Sequence, residues 1–518
     1  MNDFSDDEYL TSSDVVSMRA DSDVEILDSS SDVSLDDDAD SNFGTINPIK
    51  AQRKAYEVDF QVLTPHDLKL RQDGDVSYVA DLTNIEPQLA SVLLRHYGWN
   101  REKLIERFME NSDKCLADAG VDSGKNSEKH SRQKKRVRGF LCEVCFDEDS
   151  SNDTFALSCN HRYCRDCYET YLSRKINAEG ESRRIQCMRH KCNIVIDENT
   201  IASLVDPHTL EKYHLLLCRT YVDDDPRLRW CPAPNCDNAI QCAVSSRSLA
   251  SIVPTVECSC GTRFCFGCGL ADHQPCICAL VKRWLKKCED DSETANWISA
   301  HTKECPKCQA TIEKNGGCNH MTCKKCRHEF CWVCMGLWSS HNSQFYNCSR
   351  YDESKVNNEQ QSKSRASLER YLFYYNRYAN HEQSSKLEKD LYMRMEKKME
   401  EIQASSNLSW IEVQFMKRAV DTLSSCRVTL KWSYAMTYFL KRDNATFIFE
   451  DNQNDLEQKV EALSELLERP LEEETISELR QDITNRTVYV AKRHQVLLED
   501  TARGHADDRW SYNIDVMQ

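Results

Sequence analysis

A multidomain chain is predicted, with α-helical modules flanking small α+β domains that are stapled by metal ions. Three observations carry this reading. At 518 residues the chain exceeds what one hydrophobic core organises. Its 28 cysteines are confined, 26 of them between Cys142 and Cys348, with only Cys115 and Cys426 outside. Both flanks instead carry apolar residues at helical spacing. The chain starts Met1-Asn2-Asp3-Phe4-Ser5-Asp6-Asp7-Glu8, opposite in charge to a secretory leader, and no apolar run approaches the ~18–20 residues of a membrane span. A cytoplasmic protein is expected, with the nucleus as a second location. In such a reducing compartment disulfides are disfavoured, and dense Cys with interspersed His points to zinc.

The formal charge of −17 is uneven. Residues 1–42 hold 14 Asp and Glu against Arg19 alone, with few large apolar groups. Such a stretch cannot bury enough surface to offset chain entropy, so 1–50 is read as a disordered acidic tail, either solvated or partner-binding. Residues 56–115 read as a three-helix module. Thr64-Pro65-His66-Asp67 has the form of a helix start. Leu89, Val92, Leu93 and Tyr97 share one helical face ended by Gly98, and Asn100 caps a helix carrying Leu104, Ile105 and Phe108. A linker over 116–138 follows, basic from Lys129 to Arg138. It is solvated, a nuclear-import signal or a nucleic-acid contact. Nucleic-acid binding ranks last, because Cys142–Cys348 holds 24 Lys and Arg against 26 Asp and Glu.

The first cysteine cluster comprises Cys142, Cys145, Cys159, His161, Cys164, Cys167, Cys187 and Cys192. Eight ligands suffice for two tetrahedral zincs. The core Cys-x-His-x2-Cys-x2-Cys is a RING pattern, which predicts a cross-brace: first and third pairs on one ion, second and fourth on the other. The second cluster is Cys231, Cys236, Cys258, Cys260, Cys265, Cys268, His273 and Cys278, with Cys276 competing for the last place. The third is Cys305, Cys308, Cys323, Cys326, Cys331, Cys334, His341 and Cys348. Cys318 is left over, in Asn315-Gly316-Gly317-Cys318-Asn319-His320. The two glycines suggest a tight, open turn, and residues i and i+2 of an extended segment project to one side. A free thiol and an imidazole on one face suit nucleophilic catalysis, since the thiolate attacks. The alternative is that Cys318 is a ligand and another cysteine is spare. That would leave a Cys-x2-Cys knuckle half used.

The C-terminal third reads as helical. Arg365–Gln403 is long, charged and poor in Gly and Pro. Ser409-Trp410-Ile411-Glu412 is a capping box before Val413, Phe415, Met416, Val420 and Leu423, and Leu463, Leu466 and Leu467 mark a helix stopped at Pro470.

This order of modules, ending in Gly316-Gly317-Cys318-Asn319-His320-Met321, resembles the RING-between-RING E3 ubiquitin ligases. Trp230-Cys231-Pro232-Ala233-Pro234-Asn235-Cys236, Glu304-Cys305-Pro306-Lys307-Cys308 and Ser409–Phe415 resemble the Ariadne family. The resemblance implies a ubiquitin-associated-like (UBA-like) domain over 56–115, RING1 over 139–205, a helical linker over 206–226 and an in-between-RING (IBR) module over 227–285. It also implies a linker over 286–300, a catalytic RING2 over 301–350 and a helical Ariadne domain over 351–510, with six zinc ions, two per zinc module. RING1, with Val144 in the contact, would recruit an E2 enzyme carrying ubiquitin; packing of the zinc loop is the other reading of Val144. Ubiquitin would pass to Cys318 as a thioester and then to a substrate lysine. His320 would be the general base and Glu329 would orient it; surface residues are the alternative for both.

The family further implies that the Ariadne domain covers Cys318, with Leu387-Glu388 where relatives have Phe-Glu. Release would come from a neddylated cullin-RING ligase bound to the UBA-like domain. Cys323-x2-Cys326 is shorter than the x4 spacing of the family, which leaves that loop's geometry open. The competing function is a RING-type adaptor that only positions E2 and substrate.

Overall fold

The computed structural model describes residues 53–121, 140–147, 153–290, 302–314, 316–342, 348–352, 360–405, 414–469 and 476–515. The acidic tail, the basic run 129–138, the Ser409–Val413 signal and Pro470 lie outside the described residues. The chain divides at Gln52, and all the described residues belong to the unit from Arg53 onward. Among the described residues no helix is long and apolar enough to cross a membrane.

The first strand, β1 (Phe60–Leu63), precedes the helical module but joins a sheet of the second zinc module. It pairs antiparallel with β5 (Ala239–Cys242), Phe60 opposite Cys242, and β4 (Leu228–Trp230) takes the other edge of β5. Helix α1 (Pro65–Thr83) then opens on a capping box, Asp67 N donating to Thr64 Oγ1 and Thr64 N to Asp67 Oδ2. Helices α2 (Pro87–His96) and α3 (Arg101–Glu110) bury Leu93, Leu94 and Leu104, and Asn100 caps the second of them. A fourth helix, α4 (Ser112–Ala119), extends the three-helix expectation. Asn111 caps it, and its Cys115 and Ala119 join the same core. Buried Arg95 donates to Tyr213 Oη at 2.7 Å, tying α2 to α7 (Pro207–Asp224), the helix between the first two zinc modules.

The first zinc module is the hairpin β2 (Thr154–Ala156)/β3 (Arg162–Cys164) with α5 (Arg165–Asn177) and α6 (Glu198–Leu204). The second combines β4 and β5 with the hairpin β6 (Thr255–Glu257)/β7 (Arg263–Cys265) and ends in α8 (Cys278–Asp290). The third has two hairpins, β8 (Thr302–Glu304)/β9 (Thr311–Glu313) and β10 (His320–Thr322)/β11 (Glu329–Cys331). Its own buried apolar cluster is Met321, Phe330 and Trp332. That is too little to offset the ordering entropy of a domain without cross-links.

The C-terminal bundle is its opposite. Helices α9 (Gln360–Ser405), α10 (Gln414–Phe439), α11 (Asn444–Leu467) and α12 (Ile476–Ala506) share one large core. Leu423, Leu430, Tyr434, Phe449, Leu456, Val460, Leu463 and Leu497 are all buried in it. Trp284 of α8 packs into the same core against Tyr371 and Tyr378, so the second zinc module is fixed to the bundle. The third module is fixed to it differently, through polar contacts of the Cys318 turn and of the module's C-terminal end, where Arg377 donates to Cys348 O and Ser349 Oγ to Glu457.

Candidate active site

The zinc ligands assemble in fours. In the first module Cys142, Cys145, Cys164 and Cys167 form one cluster and Cys159, His161, Cys187 and Cys192 another, ligand atoms lying within 4.8 Å of one another. Alternate pairs therefore share an ion position, as in a cross-brace. The other two modules are sequential. Cys231, Cys236, Cys258 and Cys260 precede Cys265, Cys268, His273 and Cys278, and Cys305 and Cys308 join Cys323 and Cys326. Cys334 Sγ lies 3.3 Å from His341 Nε2, and Cys331 and Cys334 act on both His341 and Cys348.

Zinc fits these clusters. Tetrahedral Zn–S bonds of ~2.3 Å place neighbouring sulfurs about 3.8 Å apart. The sulfurs stand 3.9 Å apart in Cys142–Cys167, 3.7 Å in Cys145–Cys164, 3.7 Å in Cys236–Cys258 and 3.6 Å in Cys308–Cys323. His273 Nδ1 faces the Cys276 carbonyl at 2.6 Å and His341 Nδ1 the Leu337 carbonyl at 3.1 Å, which leaves Nε2 of each for the metal. Of the two candidates for the last ligand of the second module, Cys278 sits in the cluster, while Cys276 orients the histidine through its carbonyl. The Cys323-x2-Cys326 loop closes like the other knuckles. Arg327, at φ 57°, donates its N–H to Cys323 O at 2.8 Å, as Phe146 does to Cys142 O and Gln309 to Cys305 O.

Cys318 belongs to none of these clusters, and it is 3% exposed. Its N–H donates to Glu468 Oε1 at 2.9 Å, and its Sγ lies 3.9 Å from the Glu461 carbonyl. Asn319 donates to the Glu461 carboxylate twice, from N at 2.6 Å and Nδ2 at 2.8 Å. Gly317 O accepts from Arg427 Nη2 at 3.1 Å, and Arg427 is itself clasped by Glu388 at 2.8 Å and by Glu461. Lys314 Nζ reaches Asn319 Oδ1, Asn380 Oδ1 and Ser384 Oγ. Burial first, then the charge of Glu461 and to a smaller extent that of Glu468, push the Cys318 thiol well above its usual value against the His320 N–H and Arg427. Burial likewise pushes Lys314 down, to about 8.

The expectation of an open turn needs correcting. Neither Gly316 nor Gly317 sits at positive φ. They are required because the bundle's carboxylates press against them: a Cβ on Gly316 would lie 2.4 Å from Glu468 Oε1, and one on Gly317 2.3 Å from Glu388 Oε1. Glu388 cannot swing aside, since Arg427 and Ser464 hold the same oxygen. Gly317→Ala is therefore expected to prise the turn from the bundle and speed alkylation of Cys318 in the full chain, followed by mass spectrometry. Of the pair Leu387-Glu388, the acid makes this contact and Leu387 is half-buried.

His320 starts β10, so its backbone N–H points at Cys318 Sγ at 3.3 Å. Its ring turns elsewhere. It stacks on Trp338, centroids 4.4 Å apart and planes 5° apart, a neighbour sequence reading missed because nothing in the spacing marks it. Nε2 lies 3.6 Å from Glu329 Oε2 of the same hairpin and Nδ1 3.9 Å from Glu465 Oε1 of the bundle. Val144 lies away from this site on the first zinc knuckle, half-exposed, with Leu141 and Phe146 also exposed.

Comparison with known proteins places these modules in a family context. Family models match residues 71–110 (E3 ubiquitin-protein ligase ARIH1, UBA-like domain), 142–192 (zinc finger, C3HC4 type, RING finger) and 211–278 (IBR domain, a half RING-finger domain). Two more match 300–350 (IBR domain) and 369–499 (Ariadne domain). The chain is 51% identical over 471 residues to E3 ubiquitin-protein ligase dbl4 of Schizosaccharomyces pombe, covering 90% of this chain and 92% of that one. It is 42% identical over 508 residues to E3 ubiquitin-protein ligase ariadne-1 of Drosophila melanogaster, covering 96% and 100%. It is also 40% identical over 461 residues to human E3 ubiquitin-protein ligase ARIH1, covering 88% and 82%.

Proposed function

Since the chain belongs to the Ariadne family of RING-between-RING E3 ubiquitin ligases and is a ubiquitin transferase, we propose that it works through a thioester on Cys318. The observation that carries this is a cysteine outside every zinc cluster, on the turn that leads into the His320 strand. RING1 receives the E2 enzyme around Val144, and six zinc ions, two per module, hold the three zinc domains. Thioester-to-thioester exchange is close to isoenergetic, so the first step asks mainly for orientation. Attack by a substrate lysine is harder, because an ammonium must first lose a proton. His320 takes that proton as general base, and Glu329 holds the imidazole from the opposite strand.

With the bundle seated on the third module, this chemistry is shut off. The bundle covers Cys318, burial keeps its thiol protonated, and Glu465 of the bundle lies beside the His320 ring. Ubiquitin transfer then requires the bundle to leave the third module. A neddylated cullin-RING ligase bound to the UBA-like domain can release it only to the extent that it binds the open state more tightly.

The test uses the full chain with E1, E2, ubiquitin and ATP on a non-reducing gel. A thiol-labile ubiquitin adduct is expected, absent in Cys318→Ala and thiol-resistant in Cys318→Ser. Transfer by Cys318→Ala at the wild-type rate would leave the adaptor function instead. His320→Ala is expected to load normally but to discharge to free lysine roughly 10²–10⁴-fold more slowly at neutral pH. The gap should narrow as pH approaches ~10, where lysine loses its proton unaided; equal discharge at neutral pH would remove His320 from the mechanism.

A further inference from the structure

Lys314 is a buried charge beside Cys318 for which the proposed chemistry has no use. It follows β9, four residues before Cys318, and is 2% exposed. Its ammonium donates to Asn319 Oδ1 at 3.0 Å within its own module, and to Asn380 Oδ1 at 3.0 Å and Ser384 Oγ at 2.8 Å on α9. An ammonium has three N–H bonds, so these three acceptors saturate it. Burial, with Arg427, opposes its charge, which Glu461, Cys318 and Glu388 favour. Any movement that uncovers Cys318 carries Asn380 and Ser384 away with α9. The opened ligase then presents a primary amine on its own active-site turn, one hydrogen bond from the residue after Cys318.

We infer that Lys314 is a built-in acceptor: ubiquitin carried on Cys318 is passed in cis to Lys314 Nζ, and the resulting isopeptide keeps the ligase open. This rests on the Cys318 thioester proposed above. In the step, the neutral amine attacks the thioester carbonyl, the C–N bond forms, the C–S bond breaks, and the proton lost by nitrogen ends on the departing Cys318 sulfur. No oxidant, reductant or further co-reactant is needed. The tether between amine and thioester, through Gly316 and Gly317, replaces a bimolecular encounter.

An acylated Nζ has lost its charge and two of its three N–H bonds. It also carries a whole ubiquitin, so it cannot re-enter a site of three fixed acceptors. Exchange of a thioester for an amide runs downhill, and the same route does not reverse it. Lys307, Lys324 and Lys325 of the same module are exposed on its zinc knuckles and are the natural competitors.

The experiment charges the wild-type full chain and its Glu461→Ala variant with E1, E2, ubiquitin and ATP without substrate, strips thioesters with thiol, and maps ubiquitin remnants after trypsin digestion. A remnant on Lys314 is expected in both, larger in Glu461→Ala, with a yield per chain that does not change on tenfold dilution. After ATP is removed, the modified fraction should still show rapid alkylation of Cys318, whereas unmodified wild-type chain should not. Remnants confined to Lys307, Lys324 and Lys325, in a sample whose Cys318 carried a thiol-labile adduct, overturn the inference and leave the thioester standing. A chain with no thiol-labile adduct overturns the thioester itself, and the inference with it.

Discussion

Replacing Glu461 with alanine is expected to raise the rate at which a small alkylating reagent modifies Cys318 in the full chain about 100-fold. Glu461 accepts from both the backbone and side-chain nitrogens of Asn319 in a buried setting. A hydrogen bond to a charged acceptor contributes about 1.5–3 kcal/mol, and a buried donor left without a partner costs its full desolvation. The lower end, taken twice, gives about 3 kcal/mol, or roughly two decades in the closed–open equilibrium. The loss acts on that equilibrium because Asn319 belongs to the third module and Glu461 to the bundle. The Glu461 contact with Arg427 lies within the bundle and is lost from both states alike.

Charge works in the same direction. The thiol is raised in the closed state, so closure favours the neutral thiol. That contribution is complete below the open-state pKa of ~8.5 and fades as pH rises through the closed-state value. At pH 7.5 the closed form therefore holds a protonated, covered sulfur. Cys426, fully buried in the bundle core, serves as the internal control. Its alkylation should not change, which separates opening from unfolding. An unchanged Cys318 rate would show that Glu461 does not hold the turn.

Zinc withdrawal is expected to abolish the ubiquitin adduct on Cys318 while the helical signal of the protein survives. The third module has three residues in its apolar cluster, whereas the bundle core runs through all four of its helices. Structural zinc contributes an apparent ~10–16 kcal/mol in small zinc-dependent folds, far above what three side chains supply. A strong chelator should therefore unfold the third module first and expose Cys318 to rapid alkylation. Far-UV circular dichroism should keep most of its helical amplitude. Adduct formation that persists after zinc is removed would contradict this account, as would concerted loss of the helical signal.

Local chemistry was legible in the sequence where ligand spacing or capping fixed it. Thr64 and Asp67 announce their capping box, and the Cys-x2-Cys pairs announce knuckles. Cys318 stands out because pair counting leaves it over. What the sequence could not show is what meets that turn. Glu461 and Arg427 lie on helices, and Glu468 just past the end of one, all more than a hundred residues away, and nothing in their spacing separates a carboxylate facing a backbone N–H from one facing water. The glycines were legible as necessary, but for the wrong reason: they admit Glu468 and Glu388 rather than a left-handed turn. Trp338 under the His320 ring, and β1 joining the sheet of the second zinc module, are likewise tertiary outcomes. The RING spacing announced the cross-brace of the first module, but ligand counts left open that the next two are sequential, since eight ligands satisfy either arrangement.

The most direct test of the central claim, that Cys318 accepts ubiquitin and the bundle withholds it, is a single-turnover loading rate. Pre-charged E2–ubiquitin is mixed with the full chain, with its Glu461→Ala variant and with Glu461→Ala carrying Cys318→Ala, and thiol-labile adduct is followed over time. Slow loading in wild type, loading at least tenfold faster in Glu461→Ala, and none in the double variant are expected. Equal rates in the first two, or adduct in the third, would contradict the account.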